Sequence, residues 1–120
     1  MNTRSVLAVV DDLMLRSRIS TAAKGVGVEV KYARSMDATL AAARATPPPA
    51  LVILDLNNAR AKPLETIAAL GSDPALAAIP TVGFVSHVDT TTIEAARQAG
   101  VDRILARSAF MEQLPQLLRG

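Results

Sequence analysis

The 120-residue chain contains no cysteine and no tryptophan, and a single histidine. Without cysteine there are no disulfides and no thiolate chemistry, and one imidazole is a poor start for a zinc centre. Aromatic residues are scarce as well: two Phe and one Tyr, in a chain whose residues are half hydrophobic. The core is therefore expected to be aliphatic and rich in alanine, and the length suits one domain over residues 1–120. Long apolar runs are missing. The N-terminal run, Val6 to Val10, meets Asp11 and Asp12 after five residues, too short for a secretory leader and far short of the ~20 apolar residues of a membrane span. A cytoplasmic protein with no membrane partner is the expectation. The formal charge of +2 comes from scattered Arg, without a basic run or interleaved aromatics, so no direct nucleic-acid partner is expected either. A glycine-rich first turn, a Walker lysine motif and a nucleophile elbow are all absent, which removes dinucleotide, P-loop and α/β-hydrolase chemistry.

What the chain does contain is a regular alternation of strand-like and helix-like segments. Strand one is "SVLAVV" (5–10), followed by a helix with Leu15, Ile19 and Ala22 or Ala23 on one face that ends near Gly25. The next segment, "VGVEVKY" (26–32), alternates and reads as an edge strand. Ser35 is the expected N-cap of a second helix carrying Met36, Leu40 and Ala43, stopped by Pro47, Pro48 and Pro49. Strand three, "LVILD", leads to a helix using Leu64, Ile67 and Ala68. Strand four is 81–85, helix four runs from about Thr90–Thr92 to Gly100, strand five is 103–106, and helix five carries Phe110, Leu114, Leu117 and Leu118. Five βα units with continuously apolar strands predict an α/β, doubly wound, five-stranded parallel sheet.

In such sheets ligands gather beyond the carboxyl ends of the strands. Those ends carry Asp11 and Asp12, then Asp55, then Ser86 and His87, then Arg107. If strands one and three are neighbours, three carboxylates converge, and their mutual repulsion calls for a cation. A hard divalent ion such as Mg²⁺ suits carboxylate and carbonyl oxygens and leaves room for phosphate oxygens. Asp55 is then positioned to act as a nucleophile on phosphorus, with Ser86 and Arg107 stabilising the transferred group.

Along its whole length the chain resembles the receiver domain of bacterial two-component response regulators, of which the stand-alone chemotaxis regulator is the familiar form. "VLAVVDD" resembles the acidic pair after the first strand, "LVILDL" the phosphoacceptor strand, "DPALAAIPTVGFVS" the run into the switch hydroxyl, and "AGVDRILARSAF" the segment holding the cation. The resemblance implies a flavodoxin-like (βα)5 fold with strand order 2-1-3-4-5. It implies Asp55 as phosphoacceptor, with Asp11, Asp12, Asp55 and the Asn57 backbone carbonyl holding Mg²⁺. Ser86 and Arg107 would contact the phosphoryl group. It further implies a non-enzymatic phosphorelay role, assisted by the domain's own residues, with a sensor histidine kinase or phosphotransfer protein as donor. A downstream protein target would be met through the face formed by helix four, strand five and helix five, a face on which such domains also form homodimers. If the chain is the complete protein, the expected output is protein contact.

Several positions depart from the family pattern. Arg107 stands where the family has lysine, with Ser108 in place of the following proline, and a planar guanidinium is not equivalent to a compact ammonium at a tight site. His87 replaces a small residue, and Ile104 replaces the aromatic that couples phosphorylation to the outer face. Asn58-Ala59 and Lys62-Pro63 replace Met-Pro and Asp-Gly in the loop after Asp55. Plainer roles exist for the same residues: Asp12 as a helix cap, Arg107 as a salt bridge closing the acidic cluster, and His87 and Lys62 as solvated loop residues. A phosphorylation-independent docking module, a pseudo-receiver, is the alternative function. A dehalogenase-type phosphatase would need a second acid at Asn57, and a flavodoxin a hydroxyl- and glycine-rich phosphate loop after strand one.

Overall fold

The computed structural model describes residues 4–86 and 89–120. Its elements are β1 (Ser5–Val9), α1 (Leu13–Val26), β2 (Glu29–Tyr32), α2 (Met36–Ala43), β3 (Leu51–Asp55), a 3-10 turn (Ala59–Ala61), α3 (Pro63–Ser72), β4 (Thr81–Val85), α4 (Thr90–Ala99), β5 (Arg103–Ala106) and α5 (Arg107–Arg119). All strand pairs are parallel, and the order across the sheet is β2-β1-β3-β4-β5. The expected fold class and strand order are both observed.

The sheet divides the core in two by the two-residue period of its strands. Val6, Ala8, Leu51, Ile53, Val82 and Phe84 face α1 and α5, whose contribution includes Leu15, Ile19, Phe110 and Leu114. Leu7, Val9, Val52, Leu54 and Val85 face the other way, onto Ala43 of α2, Ile67 and Leu70 of α3, and Ala96 of α4. Because both faces are covered, β1, β3 and β4 stay apolar after Ser5 and Thr81 at their amino ends, and the next polar residues appear only where the chain leaves the sheet. That places charged side chains at the carboxyl edge.

Two expected boundaries are corrected. The first helix does not stop near Gly25; it continues to Val26, and Gly27 adopts the left-handed conformation (φ 72°) that closes it, with Val28 N–H donating to Ala23 O at 2.9 Å. The second strand therefore starts at Glu29, not Val26, although its alternation holds: Val30 and Tyr32 turn inward, Glu29 and Lys31 outward. In α3 the inward face is Pro63, Thr66, Ile67 and Leu70, and Ala68 lies in solvent. The caps at Ser35 and Gly100 are as expected.

Gly83 in β4 connects the core to the carboxyl edge. A Cβ there would lie 2.8 Å from Leu56, the buried residue that follows Asp55. Gly83→Ala is expected to force Leu56 out of place and lower stability by about 1–3 kcal/mol. An unchanged thermal midpoint would mean that Leu56 repacks freely.

Candidate functional site

Parallel register brings the strand ends to one level. Val9 pairs with Leu54, Asp55 with Phe84, and Val85 with Ala106. Asp11 and Asp12 thus follow β1 beside Asp55, while Ser86 and Arg107 leave β4 and β5 next to each other.

Asp55 is half-buried, and its Oδ1 accepts the Asn57 backbone N–H at 3.0 Å. The Asn57 side-chain Oδ1 in turn accepts the Ser86 backbone N–H at 2.7 Å, which ties the loop after β3 to the end of β4. Asp12 caps α1 by accepting from Leu15 N–H at 3.1 Å, while its other oxygen lies 3.9 Å from Arg107 Nη2. Both plain roles foreseen for these residues, the cap and the salt bridge, are therefore present. Asp11 Oδ2 accepts from Asn58 Nδ2 at 3.0 Å. Its Oδ1 is buried without a hydrogen-bond donor, with Arg34 Nε 3.8 Å away.

The three acids share one edge, but the expected convergence is incomplete. Among the described residues no three carboxylate or imidazole side chains form a ready metal centre. The cap and Arg107 hold Asp12, and Asn58 and Arg34 hold Asp11. Even so, the acids are close enough to act on one another. Burial pushes the Asp55 carboxyl above its ordinary range; the Asn57 N–H and the Arg107 charge oppose that rise, and the charges of Asp12 and Asp11 add to it.

A raised carboxyl pKa has a definite sign in stability. The folded chain holds the Asp55 proton more tightly than the unfolded chain, so this contribution is complete below the ordinary aspartate range and is lost as pH rises through the raised value. In metal-free buffer, Asp55→Asn is expected to melt above the parent chain at neutral pH, with the gap closing as the pH falls towards that of an ordinary aspartic acid. Melts at several pH values measure this, and a gap that widens in acid would contradict it.

Other sequence-predicted positions are accounted for individually. Ser86 is exposed, Pro63 begins α3 and is buried, and Ile104 is half-buried against the α2–α4 side of the core. Lys62 is exposed and left-handed (φ 48°). His87 lies outside the described residues. Two neighbours of Asp11 escaped sequence reasoning. Asn58 appeared only as a departure from a family loop, yet it binds Asp11. Arg34 was not singled out at all, although Tyr32 pairs with Ala8 and so carries the residue two further on towards the end of β1.

A cavity of about 420 Å³ lies elsewhere, at the amino ends of β3, β4 and β5 near Arg4 and Asp102. Two of its polar residues are paired with each other: Asp102 Oδ2 accepts Thr81 N–H at 2.8 Å and Thr81 Oγ1–H at 3.2 Å. The cleft of about 370 Å³ beside Asp11, lined by Leu13, Arg34 and Arg60, adjoins the buried Asp11 oxygen that has no hydrogen-bond donor.

No protein-family model and no curated protein sequence matches the chain. Solved structures do. The phosphorylated cyanobacterial phytochrome response regulator RcpA superposes with a TM-score of 0.82 at 26% identity, over 99% of this chain and 91% of its own. The Vibrio cholerae chemotaxis response regulator CheY4 gives 0.80 at 22% identity, over 98% of both chains. The Mn²⁺-bound form of response regulator Rcp1 gives 0.77 at 20% identity, over 95% of this chain and 91% of its own.

Proposed function

We propose that this chain, which shares its fold with the response regulators RcpA and CheY4, is a receiver domain of two-component signal transduction that relays a signal by accepting a phosphoryl group on Asp55. The donor is the phosphohistidine of a sensor kinase or phosphotransfer protein. An Asp55 carboxylate oxygen forms the new P–O bond as the P–N bond to imidazole breaks, and the released imidazole takes up a proton. The observation that carries this reading is the half-buried Asp55 at the end of β3, made more basic by burial and by the neighbouring acids, with Arg107 near enough to offset part of that shift.

The residues present fit a hard divalent cation. Asp11 Oδ1 is a buried oxygen without a donor, and the remaining candidates, Asp12, Asp55 and the Asn57 carbonyl, are also hard oxygens. Mg²⁺ held by these oxygens would supply positive charge against the phosphoryl oxygens. This chain's own residues do the rest: the Asn57 N–H orients Asp55, Arg107 offers a fork to the phosphoryl oxygens, and Ser86 offers a hydroxyl. The added charge of about −1.5 to −2 biases two conformations a few kcal/mol apart. The face of α4, β5 and α5 passes the change to a downstream protein or to a second copy of the chain.

Incubation with acetyl phosphate or phosphoramidate is expected to yield a single metal-dependent phosphoryl adduct by intact mass. No adduct with either donor would leave the second reading, a docking module that works without phosphorylation. The pairing of Arg107 with Asp12 and the absence of an aromatic at Ile104 favour that alternative.

A further inference from the structure

We propose that Arg34 is a built-in counter-ion of Asp11 that competes with a divalent cation for the acidic edge, and so sets this chain's metal affinity and its salt dependence. The inference rests on the reading of Asp11 as a cation ligand given above.

Of the two Asp11 oxygens, Oδ2 is held by a neutral donor, Asn58 Nδ2 at 3.0 Å. Hydrogen bonding there does not offset the charge. The other oxygen is buried and has no hydrogen bond, and Arg34 Nε stands 3.8 Å away, within ion-pair range but beyond hydrogen-bond range. Arg34 thus offers charge without a bond. Its side chain is 68% exposed, so it can move into water with little desolvation change, unlike a buried partner. Arg60 lines the same cleft and adds a second positive charge to the approach. On the other side of the acidic pair Arg107 stands against Asp12. The two acids are therefore divided between two guanidinium groups, which offset their mutual repulsion. A divalent cation approaching Asp11 meets the Arg34 charge, and its entry requires that charge to move away.

The test is Mg²⁺ binding by calorimetry and Mn²⁺ binding by the electron paramagnetic resonance signal of the free ion. Both are made on the full chain, on Arg34→Gln, on Arg34→Lys and on Asp11→Asn. At low salt Arg34→Gln is expected to bind roughly three- to tenfold more tightly than the parent. Arg34→Lys should stay near the parent, and the Gln advantage should shrink at high salt. Asp11→Asn should lose most of the binding. Equal affinities for the parent and Arg34→Gln would overturn the role of Arg34 and leave the receiver reading standing. Undiminished binding by Asp11→Asn would place the ion elsewhere and overturn the proposal, and no binding by any chain would remove both the competitor and the metal site. Each protein's melting curve confirms that it is folded.

Discussion

Asp55→Asn is expected to abolish the phosphoryl adduct completely while leaving the fold intact. The amide has no anionic oxygen with which to attack phosphorus, so the loss is chemical. Retention of the fold follows from geometry, because the Asn side-chain oxygen still accepts the Asn57 N–H that now binds Asp55 Oδ1 at 3.0 Å. Neither neighbouring acid is a ready substitute. Asp12 is anchored to Leu15 N–H at 3.1 Å and faces Arg107, and Asp11 is bound by Asn58 at 3.0 Å. The comparison requires intact mass for parent and variant after the same exposure to phosphodonor and Mg²⁺, with the variant's circular dichroism checked. An adduct that survives in the variant would assign the phosphoryl group to another residue and sink the role given to Asp55.

Much of this site was legible because a doubly wound sheet exposes side chains at predictable places. Once 51–55 is a strand buried on both faces, Asp55 can only emerge at its end, and the same holds for Asp11, Ser86 and Arg107. What the strand pattern does not encode is side-chain pairing at the edge. Whether Asp12 turns to a metal, to its own helix or to Arg107 depends on a rotation about its side chain. Such a choice leaves no period in the sequence. Arg34 shows the same limit: it lies on a connection after the edge strand, where neither hydrophobic alternation nor helical spacing marks it. Its relevance appears only through the register of β2 against β1.

The fold was more legible than its boundaries. Apolar runs and helical periods identified all five strands and helices, since burial imposes those periods over many residues. The end of α1 was misplaced because two glycines lie two residues apart, and only one adopts a positive φ. Gly25 is tolerated within the helix, whereas Gly27 takes the left-handed turn. The first tilts helix propensity and the second ends the helix, and composition alone does not tell them apart. Ala68 was assigned inward because alanine fits either environment; the larger Leu70 and the hydrogen-bonded Thr66 occupy the inner face instead.

Phe110→Ala is expected to lower stability by about 3–5 kcal/mol, a large part of the roughly 5–15 kcal/mol typical of a domain. The chain has only two Phe, and they stack with ring centroids 4.6 Å apart and planes 17° from parallel. Both are fully buried. Their neighbours on this side of the sheet are mostly aliphatic side chains on strands and packed helices, Ala8, Ile53, Leu15 and Leu114 among them. Such surroundings relax little, so a cavity would remain beside Phe84. Phe84 pairs in register with Asp55, and Arg107 begins the helix that Phe110 anchors. The defect should therefore reach the site as well, loosening Arg107 from Asp12 and removing part of the charge that opposes the raised Asp55 pKa. Phe110→Leu, which keeps most of the volume, should lose much less. Urea unfolding followed by far-ultraviolet circular dichroism measures both variants, a suitable probe for a chain without tryptophan. A loss below about 1 kcal/mol for Phe110→Ala would mean that α5 closes over the gap, and the aromatic pair would then be a consequence of packing on this face and not its anchor.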